Sequence, residues 1–314
     1  MDLNPFTQFV RSRQEQLEEA LHARLPVSAV AGTERFNEAL NYAVFPGGKR
    51  LRPHLTAIAS LLAGASEDQA LNLACAMEFI HTSSITLDDL PAMDDADLRR
   101  DRPALHLVFD EAHAILVSVS LLNQAYALFA KSVRPEASAV GFTALITEAT
   151  RCIGSGGMIA GQAAEMLSSG APADDSILSS RELKTSGLMR LMMVAGGLVA
   201  GAADADVAAL AIFGERLGQA YQLYDDLADS SGDCQTTGKS VGQDSRHLRP
   251  TIVTGLDSEA VRSIAAGVIE SGKDALVRFG DRYEANLLRS AADSIVNSFN
   301  PAMISTESAL SHSR

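Results

Sequence analysis

The chain has 314 residues, a hydrophobic fraction of 46% and a formal net charge of −13. Because nucleic-acid backbones attract basic surfaces, this acidic balance excludes non-specific binding of DNA or RNA. Aromatic residues make up only 5% of the chain and Trp is missing, a composition that favours helices over sheets.

Helical periodicity recurs along almost the whole chain, and no segment shows sustained period-two alternation of β-branched residues. One helix is expected to start at the capping box formed by Ser66 and Gln69 and to stop near Pro91. The predicted helices span roughly residues 5–24, 33–45, 51–63, 66–87, 110–131, 136–153, 157–168, 175–201, 205–230, 257–271 and 273–298. We therefore predict an all-α fold, with one helical-bundle domain over residues 1–300 and a flexible Ser-rich tail over residues 301–314.

Cysteine usage and the N-terminus indicate the compartment. Cys75, Cys152 and Cys234 are far apart and form no CxxC pair, so neither a zinc site nor a disulfide framework is expected. The first residues mix charges with apolar side chains, and no run of about 18 uncharged apolar residues occurs. We expect a cytoplasmic protein without a signal peptide or a membrane span.

Two aspartate-rich stretches interrupt otherwise apolar, helix-like sequence. The first, LDDLPAMDD at residues 87–95, holds Asp88 and Asp94 six residues apart, which an ideal helix would place on nearly opposite sides. Pro91 disfavours a continued helix, so that the chain can bulge and return Asp94 beside Asp88. Carboxylates in apolar surroundings are costly to desolvate unless a cation is present.

The second stretch, YQLYDDLAD at residues 221–229, keeps helical spacing. Asp225 and Asp229 are four residues apart and lie on one helix face, above an apolar stripe that includes Leu217 and Tyr221. Two such clusters predict a shared Mg²⁺ site for a ligand rich in phosphate. A solvated acidic surface is the usual explanation of one such cluster but not of two beside apolar residues, and neither stretch has the EF-hand loop pattern.

Basic residues supply candidate partners for phosphate. In GGKRLRP, at residues 47–53, two glycines let the backbone approach a ligand, and Lys49 and Arg52 can hold phosphate oxygens, although the P-loop spacing is absent. Arg99 and Arg100 follow the first acidic stretch and can either compensate its charge or clamp a diphosphate. Four single residues are candidate site residues only in combination with these motifs: His81, Lys184, Thr185 and Lys239.

Together these motifs resemble the trans-isoprenyl diphosphate synthase family over roughly residues 30–297. Six motifs occur in the family's order: GGKRLRP at 47–53, HTSSITLDDLPAMDDADLRR at 81–100, GQAAE at 161–165, KT at 184–185, YQLYDDLAD at 221–229 and GKSVGQD at 238–244. The stretch LDDLPAMDDADLRRDRPALH is most similar to bacterial geranylgeranyl and farnesyl diphosphate synthases. The resemblance implies helices around a deep central cavity, a homodimer, Mg²⁺ as cofactor, and isopentenyl and allylic diphosphates as substrates.

The resemblance also implies roles for individual residues. The implied magnesium site consists of Asp88, Asp94 and Asp225, completed or supported by Asp89, Asp226 and Asp229. The implied ligands of the allylic diphosphate are Arg99, Lys184 and Lys239, and those of isopentenyl diphosphate are Lys49, Arg52, His81 and Arg100. The implied catalytic residues are Lys184, Thr185, Gln222 and Lys239, of which Thr185 and Gln222 line the reacting centre.

Some positions depart from the family pattern. Asp101 stands where the family usually has Gly, and Glu165 where Asp is frequent. Arg249-Pro250-Thr251 replaces a common Lys-containing segment, and Arg249 is not among the predicted site residues. The last predicted helix ends in Asn297 and Ser298 where many members carry a basic residue, so closure of the isopentenyl diphosphate site by the C-terminus is not predicted.

Product length depends on the side chains one turn before the first aspartate pair, which form the floor for the growing tail in this family. Farnesyl-forming bacterial members usually have an aromatic residue at the position of Ser83, whereas Ser83 and Ser84 are both small. This favours the C20 product, geranylgeranyl diphosphate, and leaves C15 and C25 products open. A non-catalytic partner subunit and a terpene cyclase are less favoured, because both aspartate motifs and GGKRLRP are intact.

Overall fold

The computed structural model describes residues 4–133, 139–167, 175–231 and 257–298, and helices make up most of these residues. The first half contains α1 (Pro5–Arg24), α2 (Glu34–Val44), α3 (Leu51–Leu62), α4 (Glu67–Asp88), the antiparallel strands β1 (Leu98–Arg99) and β2 (Arg102–Pro103), α5 (Leu105–Val108) and α6 (Glu111–Ser132). The second half contains α7 (Ala139–Ile153), α8 (Met158–Leu167), α9 (Asp175–Ala200), α10 (Asp204–Ser231), α11 (Ser258–Ala275), a 3₁₀ helix (Leu276–Phe279) and α12 (Tyr283–Ser298). The all-α prediction is confirmed.

Helix starts follow local capping chemistry. At α4 the Gln69 N–H donates to Ser66 Oγ at 3.3 Å, and the Ser66 N–H donates to Gln69 Oε1 at 2.9 Å, which is the predicted capping box. Asp110 and Asp257 cap α6 and α11 through their side chains in the same way. These short-range signals explain why most predicted helix ends agree with the structure within a few residues.

One predicted boundary is wrong. The sequence predicts a break near residue 272, whereas α11 continues to Ala275 and the chain turns at Gly280. Gly272 lies inside the helix, where an added Cβ would be 3.0 Å from Arg216 Cβ, so this glycine serves close packing. Gly280 has a φ of +58°, a left-handed conformation that glycine adopts without steric cost.

The helices that carry the acidic and basic motifs pack on one another: α3 contacts α4 and α9, and α9 also contacts α4 and α10. Glycines allow two of these close approaches. A Cβ at Gly196 would lie 2.2 Å from Ser60 Cα, and one at Gly218 would lie 2.6 Å from Ser186 Cα. Buried side chains from α1 through α12 form one hydrophobic cluster, so these motifs stand on a common core.

Two helical segments, Glu111–Ser132 and Leu183–Ala200, are long and apolar enough to span a membrane by length and composition, although the sequence predicts no span. Both pack within the helical assembly, α6 against α4 and α9 against its neighbours, which is the usual position of core helices. The most apolar part of α6 is only 39% buried, so this helix keeps an exposed apolar face. The predicted tail at residues 301–314 lies outside the described residues.

Candidate active site

The first acidic stretch ends α4 and folds back on it. The Asp94 N–H donates to the Asp88 carbonyl at 2.8 Å, and the Asp95 N–H donates to the Leu90 carbonyl at 3.1 Å. Asp95 adopts a left-handed conformation with a φ of +48°. The return loop predicted from Pro91 is therefore present, and it brings Asp94 back to Asp88.

Lys184 of α9 lies among carboxylates from two other helices. Its Nζ is 3.2 Å from Asp88 Oδ2 at the end of α4 and 3.1 Å from Glu165 Oε2 on α8. Burial alone would lower the pKa of Lys184, but the negative charges of Asp88, Glu165 and Asp94 outweigh burial and raise it. Burial raises the pKa of Asp88 more than the Lys184 ammonium lowers it. These carboxylates therefore form a partly buried acidic group around Lys184.

Asp89, the second aspartate of the pair, faces a different partner. Its side chain is buried, and Arg99 Nε donates to both of its carboxylate oxygens at 3.0 Å, with a further contact from Arg99 Nη2. Such fork-shaped pairing uses acceptor positions that a metal would need. In this geometry Asp89 supports the site by orienting Arg99.

A hydrogen-bond chain connects the second acidic stretch to α9. Thr185 Oγ1 donates to Gln222 Oε1 at 2.9 Å, and Gln222 Nε2 donates to Asp226 Oδ1 at 2.6 Å. Thr185 is adjacent in sequence to Lys184, which contacts Asp88. The two acidic stretches therefore contact neighbouring residues of α9, the first through Asp88 and Lys184 and the second through Gln222 and Thr185. The half-buried Asp225 is adjacent to Asp226 on α10.

A basic cluster lies next to these acidic groups. Arg52 Nη1 is 3.4 Å from His81 Nε2 on α4, and the Arg52 guanidinium lies 5.7 Å from the centre of the Tyr221 ring on α10. Lys49 is exposed in the turn that precedes α3. Three of the predicted isopentenyl diphosphate ligands thus come from GGKRLRP and the facing part of α4.

Arg100 completes the basic cluster and contacts Glu78, with Arg100 Nη2 3.5 Å from Glu78 Oε1. Burial lowers the pKa of Arg100 and Glu78 raises it, while the cations Arg50, Arg99 and Arg52 lower it further, so that the net shift is downward. Burial is the largest cause of this shift, and the charges around Arg100 are three guanidiniums and one carboxylate, which leaves an excess of positive charge. Such an excess suits an anionic ligand.

Arg99 and Arg100 are presented by a hairpin that the sequence does not predict. β1 and β2 pair Arg99 with Arg102, and the two residues between them, Arg100 and Asp101, have φ values of +54° and +58°. Two successive left-handed residues are typical of the tightest hairpin turns, which favour Gly, Asn or Asp. This backbone requirement explains why a position that is usually Gly in the family accepts Asp101.

The two predicted floor residues face different neighbours. Ser83 is buried and donates to the Ser118 carbonyl on α6 at 2.9 Å, while Ser118 Oγ donates to the Ser83 carbonyl at 3.0 Å. Ser84 is half-buried and donates to the His81 carbonyl at 2.9 Å. Ser84 lies on the helix face of Asp88, because four residues turn a helix by about 400°. Ser83 instead joins α4 to α6.

Some predicted residues cannot be placed. Lys239 and the rest of GKSVGQD lie outside the described residues, as do Arg249 and the side chain of Asp229. Within the described ranges, no three carboxylate, imidazole or thiol groups form a ready-made metal site. The donor chemistry nevertheless fits a hard divalent cation, because the acidic group offers carboxylate oxygens from Asp88 and Glu165.

Sequence reasoning missed several partners of these residues. The sequence pattern marks Glu165 as a departure from the family but does not predict that it binds Lys184. The pattern gives no role to Glu78, although it is the only acidic residue between Asp68 and Asp88. Gln162 lies in the GQAAE motif, and its Oε1 is buried and has no hydrogen-bond partner among the described residues. A lone polar residue in an apolar helix was the available signal.

The sequence matches the family model described as Polyprenyl synthetase over residues 33–266. It is 33% identical over 260 residues to the farnesyl diphosphate synthase of Bacillus subtilis, covering 82% of this chain and 87% of that protein. It is also 32% identical over 295 residues to geranylgeranyl pyrophosphate synthase 12, chloroplastic, of Arabidopsis thaliana, covering 91% of this chain and 80% of that protein.

The fold is likewise similar to that of solved structures. The geranyltransferase from Helicobacter pylori, in a crystal structure with magnesium and isoprenyl diphosphate, superimposes with a TM-score of 0.77 at 26% identity, covering 95% of this chain and 98% of that one. The acidic stretches, the basic cluster and the helical fold thus occur together with a family match over most of the sequence. The chain belongs to the polyprenyl synthetase family of trans-prenyltransferases.

Proposed function

We propose that this protein is a Mg²⁺-dependent geranylgeranyl diphosphate synthase, which condenses isopentenyl diphosphate with dimethylallyl, geranyl or farnesyl diphosphate. The observation that carries the proposal is that Asp88 and Gln222, one from each acidic stretch, contact the adjacent residues Lys184 and Thr185, next to a separate basic cluster. One region suits a metal-bound diphosphate and the other a diphosphate held by cations alone. Two anionic substrates are what such a condensation requires.

The acidic region would hold the allylic substrate. Asp88 and Asp94 on one side and Asp225 on the other would bind Mg²⁺, with Asp89, Asp226 and Asp229 in support. When bound, Mg²⁺ neutralises the charge that develops on the departing diphosphate. Lys184, Arg99 and Lys239 would add fixed positive charge, and fixed charges require no reorganisation during the reaction. The Helicobacter pylori structure, which contains magnesium and isoprenyl diphosphate, supports this assignment.

The reaction needs no protein nucleophile. The allylic carbon–oxygen bond breaks, and its electron pair leaves with the diphosphate. The double bond of isopentenyl diphosphate then forms the new carbon–carbon bond, and the proton released from the isopentenyl unit passes to the departed diphosphate. Thr185 and Gln222, fixed by their mutual hydrogen bond, would line this centre. Holding both reactants together and excluding water accounts for the rate gain.

The basic cluster would hold isopentenyl diphosphate through Lys49, Arg52, His81 and Arg100. Arg52 and His81 are already in contact, and Tyr221 packs under the Arg52 guanidinium. Tyr221 belongs to the second acidic stretch, so the two diphosphate regions share a wall. That proximity supports a direct encounter between the isopentenyl double bond and the allylic carbon.

The small residues Ser83 and Ser84 support a C20 product, because neither position carries an aromatic side chain that would limit the tail. Farnesyl and geranylgeranyl synthases are both among the relatives, so the product has to be identified directly.

We infer that the protein works in the cytoplasm as a homodimer. An exposed apolar face on α6, formed by Ile115, Leu116 and Val119, supports this assembly.

The direct test is incubation of the protein with Mg²⁺, isopentenyl diphosphate and each of the three allylic primers, followed by extraction and sizing of the products. We expect geranylgeranyl diphosphate from every primer and no product after chelation of the metal. An end product of C15 would identify a farnesyl diphosphate synthase. Turnover without isopentenyl diphosphate would identify a cyclase, and no turnover with any primer would favour a partner subunit.

The product-length assignment predicts that Ser83→Phe shortens the product to C15 or C10, because an aromatic ring at this level would block the tail. Overpacking between α4 and α6 should also lower stability by about 1–3 kcal/mol. Ser83→Ala is the matched control, since it removes the hydroxyl bond to α6 without adding volume and should keep the C20 product. An unchanged C20 product from Ser83→Phe would refute the floor assignment.

A further inference from the structure

Arg50 is the basic residue of GGKRLRP that points into the protein. Its backbone is left-handed, with φ +48° and ψ +33°, directly before α3, and its guanidinium is fully buried. A Cβ at Gly47 would lie 1.9 Å from Arg50 Cζ, so the first glycine leaves the space that the guanidinium occupies. Lys49 is exposed and Arg52 half-buried. The turn therefore separates one internal arginine from two cations that solvent reaches.

Protein groups occupy the donors of Arg50. Nε and Nη2 donate to the two carboxylate oxygens of Glu18 on α1 at 2.9 and 3.0 Å. Nη1 donates to Glu78 Oε1 on α4 at 2.5 Å, and Nη2 also donates to the Val44 carbonyl at 2.8 Å. With these bonds in place Arg50 is a structural link between α1, the turn and α4.

Glu78 connects this structural link to the basic cluster. The oxygen that accepts from Arg50 is also the one that lies 3.5 Å from Arg100 Nη2. Glu78 is only 2% exposed, so its charge acts on both guanidiniums with little screening by solvent. Removing that charge would leave the partly buried Arg100 facing the buried Arg50 without the carboxylate between them, while Glu18 still pairs with Arg50. The opposing effects on the pKa of Arg100, upward from Glu78 and downward from Arg50 and Arg52, agree with this geometry.

We propose that Glu78 is a positioning residue of the isopentenyl diphosphate subsite, which holds Arg100 in place through the Arg50–Glu78–Arg100 bridge and does not itself touch substrate. Glu18 anchors the bridge to α1. The proposal rests on the proposed function, because it assigns Arg100 to the isopentenyl diphosphate subsite. It differs from a general stabilising role, which would affect both substrates alike.

The test compares the KM for isopentenyl diphosphate with the KM for farnesyl diphosphate in Glu78→Gln. We expect the KM for isopentenyl diphosphate to rise about tenfold. The reason is that the free energy of a buried charged contact of this kind corresponds to about a tenfold change in an equilibrium constant. The KM for farnesyl diphosphate should stay within about twofold. Glu148→Gln is the matched control, since Glu148 is likewise shared by two arginines, Arg151 and Arg190, but lies on α7. It should lower the Tm and leave both KM values unchanged.

A double-mutant cycle separates positioning from stability. If Glu78 acts through Arg100, Glu78→Gln should add little to the KM for isopentenyl diphosphate once Arg100→Gln is present. Equal rises of both KM values in Glu78→Gln, or additive effects in the cycle, would overturn the proposal. If Glu78→Gln does not fold, Glu78→Asp serves instead, because it keeps the charge and shortens its reach. Failure of the wild type to condense the substrates would contradict the proposed function itself.

Discussion

At the scale of single residues, two left-handed arginines decide where the positive charges point. Arg50 has a φ of +48° and Arg100 a φ of +54°, conformations that cost a residue with a side chain about 1–2 kcal/mol each. Both residues form ion pairs with Glu78 that offset this cost. Strained residues of this kind often cluster at functional sites, and both of these lie beside the candidate binding site.

This geometry predicts different outcomes for the two glycines of GGKRLRP. Gly47→Ala would place a methyl group 1.9 Å from Arg50 Cζ, and the guanidinium cannot move without leaving Glu18 and Glu78. We expect a loss of about 3 kcal/mol in the free energy of unfolding, the order found for breaking a buried ion pair. Chemical denaturation measures this loss.

Gly48→Ala provides the control for that prediction. Its Cβ would meet Arg100 Nε at 3.5 Å, an ordinary contact distance. We expect a change of at most about 0.5 kcal/mol, as for most substitutions that create no clash. Equal losses in the two variants would show that the Arg50 packing is not what the first glycine serves.

The burial of individual residues in GGKRLRP, and their partners, could not be predicted from the sequence. The letters KRLR predict a basic turn before a helix, and that turn is present. They do not distinguish the buried Arg50 from the exposed Lys49, because the distinction depends on one backbone angle. Glu78 and Glu165 were missed for a related reason, since their partners are distant in sequence and no local pattern identifies them.

At the scale of elements, helices were predictable where their signals are local. Apolar periodicity and capping side chains place α1 and α4 closely, because both signals lie within the helix itself. The β1–β2 hairpin was missed because each strand has two residues and its turn, Arg100-Asp101, lacks glycine. Gly272 and Gly280 look alike in sequence, and only the neighbouring helix α10 reveals that the first is a packing position.

The junction of α7, α9 and α10 yields a pH prediction. Glu148 on α7 accepts from Arg151 and from Arg190 on α9, and Arg190 also donates to Glu215 on α10. Burial alone would raise the pKa of Glu148, but the hydrogen bonds from Arg151 and Arg190 outweigh burial and lower it from 4.5 to about 2. A carboxyl group whose pKa is lower in the folded than in the unfolded state stabilises the protein at pH values above its unfolded-state pKa. This contribution is lost as the pH falls towards the folded-state pKa.

We therefore expect the free energy of unfolding of the wild type to exceed that of Glu148→Gln by about 1–2 kcal/mol at neutral pH. This amount is smaller than the full pKa shift implies, because solvent screens the ion pairs. The difference should shrink as the pH falls from 4.5 towards about 2. Urea denaturation of both proteins across this range measures it. The exposed pair Arg13–Glu67 offers a comparison, since Glu67→Gln should cost less than about 1 kcal/mol at neutral pH. A constant difference between wild type and Glu148→Gln would contradict the predicted linkage.

At the scale of the whole molecule, the candidate site depends on contacts between residues far apart in sequence. Asp88 meets Lys184, and the adjacent Thr185 meets Gln222, so three separate motifs become one region. Periodicity placed each motif on a helix but gave no information on which helices touch. The family resemblance supplied that arrangement in advance, because the order of the motifs identifies a shared fold. The structure then adds the individual partners.

The proposed homodimer is the remaining whole-molecule property, and the α6 face is the surface that we propose for it. Ile115, Leu116 and Val119 are 45%, 57% and 60% exposed, whereas Ser118 on another side of α6 is fully buried against α4. An apolar patch can pair with its own copy in a twofold dimer, which a patch of one charge sign cannot. Because a net charge of −13 makes two copies repel, a dimer requires such a patch. Pairing there would leave the α4 side of α6 undisturbed.

We predict that Leu116→Glu converts a wild-type dimer into a folded monomer of 33.2 kDa, because a dimer would bury two like charges in an apolar contact. Light scattering coupled to gel filtration gives the mass, and circular dichroism verifies that the helices remain. Val277→Glu is the control, since Val277 is an apolar residue that is 68% exposed on the 3₁₀ helix and should leave the dimer intact. A monomeric wild type would contradict the proposed homodimer, whereas a dimer that survives Leu116→Glu would place the interface on another surface.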